Sequence, residues 1–241
     1  MSPIDRLILN LERRDQVSAA ERQVLEAMVD RIDAHPAHAD IVREGVLQSE
    51  SRVLVEGFAC RYKTLSDGRR QIMALHLAGD FIDLHSFTLK KLDHHMGSIT
   101  PVRVAVVPHE RLREITETEP HLGRLLWLAT MIDAAIHREW VVSAGRRAAL
   151  AHLANLFCEM FVRSQVAGLA DGNRYALPIT QEDLADVCGL TPVHVNRVLQ
   201  ELRGTGAMEW RHGTVTVNDW RRLQAIAEFD PAYLNVERLP R

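Results

Sequence analysis

Gln181-Glu182-Asp183-Leu184-Ala185-Asp186-Val187-Cys188-Gly189-Leu190-Thr191-Pro192-Val193-His194-Val195-Asn196-Arg197-Val198-Leu199-Gln200 reads as a helix, a tight turn and a second helix. Ala185 stands where two helices must approach closely. Gly189, four residues on, ends the first helix, where a left-handed backbone costs glycine least. Thr180 is placed to cap the first helix and Thr191 the second, and both stand among the candidate DNA contacts. Pro192 suits a first turn, whose N–H groups have no intrahelical partner. Val195 and Val198 face inward at i, i+3, with Leu184, Val187 and Leu190 as their partners. Val193, His194, Asn196 and Arg197 are left on the outer face. An α-helix with such a face fits the major groove of double-stranded DNA. An ordinary αα-corner shares the apolar spacing, but the small residue, the glycine and the β-branched positions all fall in helix-turn-helix register.

Downstream, Gly204 and Gly206 close the second helix. Ala207–Trp210 and Thr214–Val217, joined by Arg211-His212-Gly213, read as a β-hairpin. A hairpin directly after a helix-turn-helix is a winged arrangement, with Arg211 and His212 at its tip and Arg203 before it as candidate phosphate contacts. Asp219–Phe229 closes with a helix, and the tail from Asp230 is expected to be loosely held. Upstream, residues 168–175 read as a polar turn, Arg146 to about Val166 as one helix, and Ser143-Ala144-Gly145 as a hinge. Pro120 opens a longer helix whose Leu122, Leu125, Ala129, Ile132 and Ile136 follow a three-four spacing. That stripe is the expected seam of a homodimer, which would suit paired DNA half-sites. Glu139 interrupts it.

Between Ile41 and Val107 the texture is that of short strands. Val53–Glu56, Phe58–Lys63, Gln71–Leu77 and Val102–Val107 alternate with turn signals, the strongest being Ser66-Asp67-Gly68-Arg69. These predict a compact antiparallel roll. Residues 5–33 read as helical, with Ser18 and Glu21 spaced as a capping box. The whole is expected to be α+β. It divides into N-terminal helices and roll (1–118), a dimerisation helix (119–144) and a winged helix-turn-helix domain (145–241).

Composition limits the alternatives. The 241 residues are 46% hydrophobic and 25% charged, as in an ordinary globular protein. No apolar run is long enough for a membrane span, and no leader is evident. Three scattered cysteines, Cys60, Cys158 and Cys188, argue against a disulfide framework and for a reducing, cytoplasmic setting. No nucleophile elbow, phosphate loop or HExxH is present, so an enzyme is not expected. The net charge of −3 provides no global attraction to a polyanion. Glu182, Asp183, Asp186 and Glu201 oppose DNA locally. This leaves an alternative in which a small-molecule- or metal-sensing protein uses its helix-turn-helix for protein contact.

A roll, a long helix, a hinge and a winged helix-turn-helix, in this order, resemble the Crp/Fnr transcription regulators. The residues that carry the likeness are Gly79-Asp80-Phe81-Ile82, Gly145-Arg146-Arg147 and Ile179–Val217. The resemblance implies a homodimer on a palindromic operator, RNA polymerase as a partner, and an effector domain that reorients the reading helices. Many members present Arg-Glu-Thr-Val-x-Arg where this chain has Pro192–Arg197. Arg197 is kept, as the residue type that pairs with guanine, while Val193 replaces the Glu that would accept from cytosine. A different half-site is therefore expected, read by Arg197 with His194 and Asn196. In the roll, Asp83-Leu84 stand where cyclic-nucleotide members have Gly-Glu, and no Arg lies between Ile82 and Pro101. Cyclic-nucleotide binding is not expected, and the lack of an N-terminal cysteine cluster argues against an iron–sulfur cluster. Asp83, His85, Lys90 and Lys91 are the effector-binding candidates. Asp83 and His85, two apart on an expected strand, with His94 or His95, are candidate metal ligands. Against that stands a reading of them as polar loop residues.

Overall fold

The computed structural model describes residues 2–240. α1 (Asp5–Glu12) buries Leu7, Ile8 and Leu11. α2 (Ala19–Ala27) starts at the expected capping box, in which the Ser18 hydroxyl accepts from the Glu21 N–H and the Glu21 carboxylate from the Ser18 N–H. Helical structure does not continue to residue 33. β1 (Arg31–His35) pairs Ile32 with Ala105, so the last apolar residue of that stretch serves a sheet. Ile32 is β-branched and fits a strand at least as well as a helix; the available partner strand decides.

Seven antiparallel strands form the roll: β1, β2 (Asp40–Val42), β3 (Glu50–Glu56), β4 (Ala59–Thr64), β5 (Arg70–His76), β6 (His95–Ser98) and β7 (Val102–Pro108). Their two sheets run β1-β7-β3 and β2-β6-β4-β5. Between β5 and β6 lies one helical turn, α3 (Ser86–Leu89). Gly79 turns the chain after β5 at φ +101° and accepts a hydrogen bond from Asn10 on α1. A Cβ there would lie 2.9 Å from Asn10 Nδ2 and 3.0 Å from Arg6, so both the backbone conformation and the close helix require glycine.

α4 (His109–Thr118) leads into α5 (Pro120–Arg146), whose first turn begins with proline as expected. The stripe assigned to a dimer seam is instead covered by the chain itself. Leu122 and Leu125 pack with α1, α2 and α4, while Ile132 and Ile136 join a core shared with the roll and the next helix. A three-four spacing marks an apolar face but not what covers it. The large apolar residues that α5 leaves exposed are Trp127, Met131, Val141 and Val142. Ser143-Ala144-Gly145 is no hinge, because α5 runs on through Arg146. The break falls at Arg147-Ala148, both extended. There Arg147 pairs with Glu139 at 2.6 Å and donates to the Ser143 hydroxyl, which closes the helix end.

α6 (Ala149–Val166) is buried on nearly every side. The segment expected as a polar turn is a two-stranded ribbon, β8 (Ala170–Asp171) and β9 (Arg174–Ala176). Its strands are too short to show alternation in sequence. α7 (Gln181–Cys188) and α8 (Pro192–Gly204) form the helix-turn-helix. β10 (Met208–Arg211) and β11 (Thr214–Val217) form the wing, which joins the ribbon in the order β10-β11-β9-β8. After α9 (Trp220–Ala227) the tail is held, contrary to expectation. A 3₁₀ turn at Pro231–Leu234 buries Leu234, and the Tyr233 hydroxyl donates to Glu159 at 3.0 Å. One apolar core runs from Phe58, Cys60, Ile72 and Leu75 in the roll, through α5 and α6, to the helix-turn-helix and wing. No helix among the described residues is long and apolar enough to cross a membrane.

Candidate nucleic-acid interface

The reading helix is fixed at both ends by local chemistry. Thr180 and Asp183 cap α7 reciprocally, and the Thr180 hydroxyl also donates to Asp183. Gly189 takes the left-handed conformation at φ +64°, and Thr191 accepts from the His194 N–H to start α8. Both threonine hydroxyls are therefore engaged in capping. Leu184, Ala185, Val187, Val195 and Val198 are buried as the spacing requires. Val193 is 82% exposed. Arg197 lies beside His194, Nη2 to Nε2 at 3.1 Å. Asn196 donates to Gln181 and accepts from Gln200. These contacts hold His194 and Arg197 together one turn apart on α8, with Asn196 about 100° round the helix beside Gln181. Arg203 is placed differently from the others: it donates to the Trp210 carbonyl and ties α8 to the wing. Arg211 pairs with Glu209 on the exposed wing, and His212 and Gly213 take positive φ at its tip.

Two of the four opposing carboxylates are neutralised by a residue that the sequence reading passed over. Arg70, on β5 of the roll, pairs with Asp183 and with Asp186, each at 2.7 Å. Its neighbour Gln71 donates to the carbonyls of Asp186 and Val187 at the end of α7. Asp183 stays ionised below the usual range. Burial opposes this, but bonds from Thr180 and Arg70 outweigh it. The roll thus grips the first helix of the reader directly. An arginine beside a hairpin turn has no sequence signature for such a role.

The effector candidates do not come together. Asp83 is fully buried, where Arg52 binds it through both its N–H and its guanidinium. Burial raises the Asp83 carboxyl to about 6 despite that partner. Asp83 and His85 lie in the turn entering α3, not on a strand, so the shared face inferred from their spacing does not exist. Lys90 folds its ammonium back onto Phe87, and Lys91 is exposed. His95 stacks on Tyr62, away from its sequence neighbour. Only His85 and His94 meet, Nε2 to Nε2 at 3.2 Å, with Asp93 on His94 Nδ1 at 2.8 Å. Burial first, and Arg61 next, push His85 down to about 4; burial also lowers His94. Among the described residues no three metal-ligating groups converge.

Close to this pair, α5 meets the roll through charge. Arg61 on β4 is buried, donates to Asp133 at 3.1 Å and the Ile82 carbonyl, and lies 3.0 Å from His137 Nε2. Arg61 follows the buried Ala59 and Cys60 on β4, where a charged residue is seldom buried without a partner. The three cysteines are buried, and burial raises each thiol, Cys60 and Cys188 to about 12.

Comparison with known proteins matches this geometry. Residues 151–226 match the Crp-like helix-turn-helix domain, and residues 34–119 the cyclic nucleotide-binding domain. The transcriptional activator protein FnrL of Cereibacter sphaeroides is 29% identical over 70% of this chain and 69% of its own. The nitrogen fixation regulation protein FixK of Bradyrhizobium diazoefficiens is 29% identical over 88% of this chain and 87% of its own. The solved structure of FixK2 from Bradyrhizobium japonicum superposes with a TM-score of 0.74 at 26% identity, covering 81% of this chain and 96% of that one.

Proposed function

The chain belongs to the Crp/Fnr family of transcription regulators, and from that premise we propose that it acts as a homodimer on a palindromic operator under the control of an effector bound at the roll. The observation that carries the reading is the outer face of α8, where Val193 is exposed and Arg197 is held beside His194, while two acids of α7 are paired with Arg70. Arg197 recognises guanine, Val193 meets a thymine methyl, and the wing tip at Arg211 and His212 meets phosphate. Trp127, Met131 and Val141 of α5, with Ala134 and Arg138 between them, repeat at four and three residues. They form the seam for a second copy in place of the stripe that the chain buries itself. RNA polymerase is the further partner that family membership supports. The effector acts where α5 meets the roll, at the junction of Arg61, Asp133 and His137. A ligand there would shift α5 and, through Arg70 and Gln71, the reader. Competition titrations of the full-length protein against genomic fragments test the DNA reading. A subset of fragments is expected to outcompete bulk DNA. If none does, at low salt and with cell-extract small molecules added, the reading fails.

A further inference from the structure

We propose that His85 and His94 are the protein donors of a site for a divalent transition metal, of the class that prefers imidazole ligands. This goes beyond the reading of the roll as the sensing part and rests on it only for its regulatory consequence. The observation is geometric. The two Nε2 atoms face each other at 3.2 Å. Two imidazole nitrogens bound to one tetrahedral ion at the usual zinc distance lie about 3.3 Å apart. The nitrogens are therefore spaced as in a chelate, and their lone pairs, which face each other across the hydrogen bond, need only turn onto a shared ion.

The proton positions support the same use. Asp93 accepts the Nδ1–H of His94 at 2.8 Å. That fixes the tautomer, leaves His94 Nε2 with a free lone pair aimed at His85, and supplies the carboxylate–histidine–metal arrangement that raises ligand basicity. Without metal, the His85 Nε2–H donates to that lone pair. On metal binding the His85 proton moves to Nδ1 of the same ring, so both rings bind neutral and no net proton is released. Two protein donors leave the remaining positions to water or a small anion. His85 provides the access, since it lines an apolar cleft of about 320 Å³ with Leu84, Phe87, Thr88, Trp127 and Thr130. That cleft reaches α5 at the face proposed as the seam. The site joins the turn before α3 to the segment before β6, which meet at this pair of rings.

The test is a Co²⁺ titration of the full-length protein, followed by visible absorption, with Zn²⁺ added in competition. One equivalent per protomer is expected, displaced by Zn²⁺. His85→Ala and His94→Ala are each expected to abolish it. Asp93→Asn keeps both donors and is expected to weaken binding about 10- to 100-fold. His95→Ala is expected to leave it unchanged. Thermal melts of each variant separate loss of the site from loss of the fold. Absence of saturable binding to the folded protein overturns the proposal, as does binding that survives in folded His85→Ala and His94→Ala. The DNA competition titration run without metal decides the regulator reading separately, so failure of one leaves the other standing.

Discussion

At the scale of single residues, position on α8 decides role. Arg197 is exposed and is held beside His194, whereas Arg203, six residues on, bonds the wing carbonyl of Trp210. Arg197→Ala is expected to relax sequence preference at one operator position and cost roughly 1–3 kcal/mol of specific binding. Fluorescence anisotropy on matched and mismatched duplexes checks this, and an unchanged preference would remove the role. A second residue-scale expectation concerns His121 on α5, which bonds Glu21 at 2.5 Å and Asp15 at 3.2 Å. The Glu21 bond raises its pKa, partly offset by burial. A raised folded value means that the stabilisation is complete below the ordinary imidazole range of about 6.5 and is lost as pH rises through the folded value. The melting-temperature difference between the wild type and His121→Gln should be largest in mild acid and shrink toward alkaline pH. A pH-independent difference would show that packing, not charge, ties α5 to α2.

Elements show where periodicity informs and where it misleads. The helix-turn-helix was legible because capping residues, a left-handed glycine and inward valines are all local signals. On α5, Leu122, Leu125, Ile132 and Ile136 are buried within the chain by partners on α1, α2, α4, α6 and the roll, none of which spacing along one helix can reveal. The exposed series at Trp127, Met131 and Val141 is weaker in pattern because Arg138 interrupts it. Met131→Glu places a charge in the middle of that series, where burial of an unpaired carboxylate is costly. Sedimentation velocity is expected to show a shift from dimer toward monomer with the melting temperature little changed. A dimer that persists would relocate the seam.

Over the whole molecule, two polar junctions couple regions far apart in the chain. Glu159, fully buried on α6, takes hydrogen bonds from Trp140 of α5, Tyr233 of the tail and Arg163, which continues to Asp80 in the roll. Arg70 joins the roll to α7. Arg70→Ala leaves Asp183 buried without its cationic partner, though still bonded to Thr180, and should destabilise the protein by about 1–3 kcal/mol. It should also alter DNA affinity, since the reader loses its hold on the roll. Urea unfolding and the same anisotropy assay read the two effects. Stability lost with affinity unchanged would make the contact purely structural.

What the sequence alone determined is what neighbours in the chain dictate: the capped helices, the Asp-Gly hairpin, the reader with its glycine turn, and the succession of elements that resembles a known family. The tertiary structure decided everything that depends on partners remote in sequence. It placed Asp83 against Arg52 and paired His85 with His94 while sending His95 to Tyr62. It turned the apolar stripe of α5 inward, held the tail on Glu159, and set Arg70 against two acids more than a hundred residues away. The physical reason is the same in each case. Backbone propensity and capping act within a turn or two of chain, whereas burial and charge pairing depend on which surfaces the completed fold brings into contact.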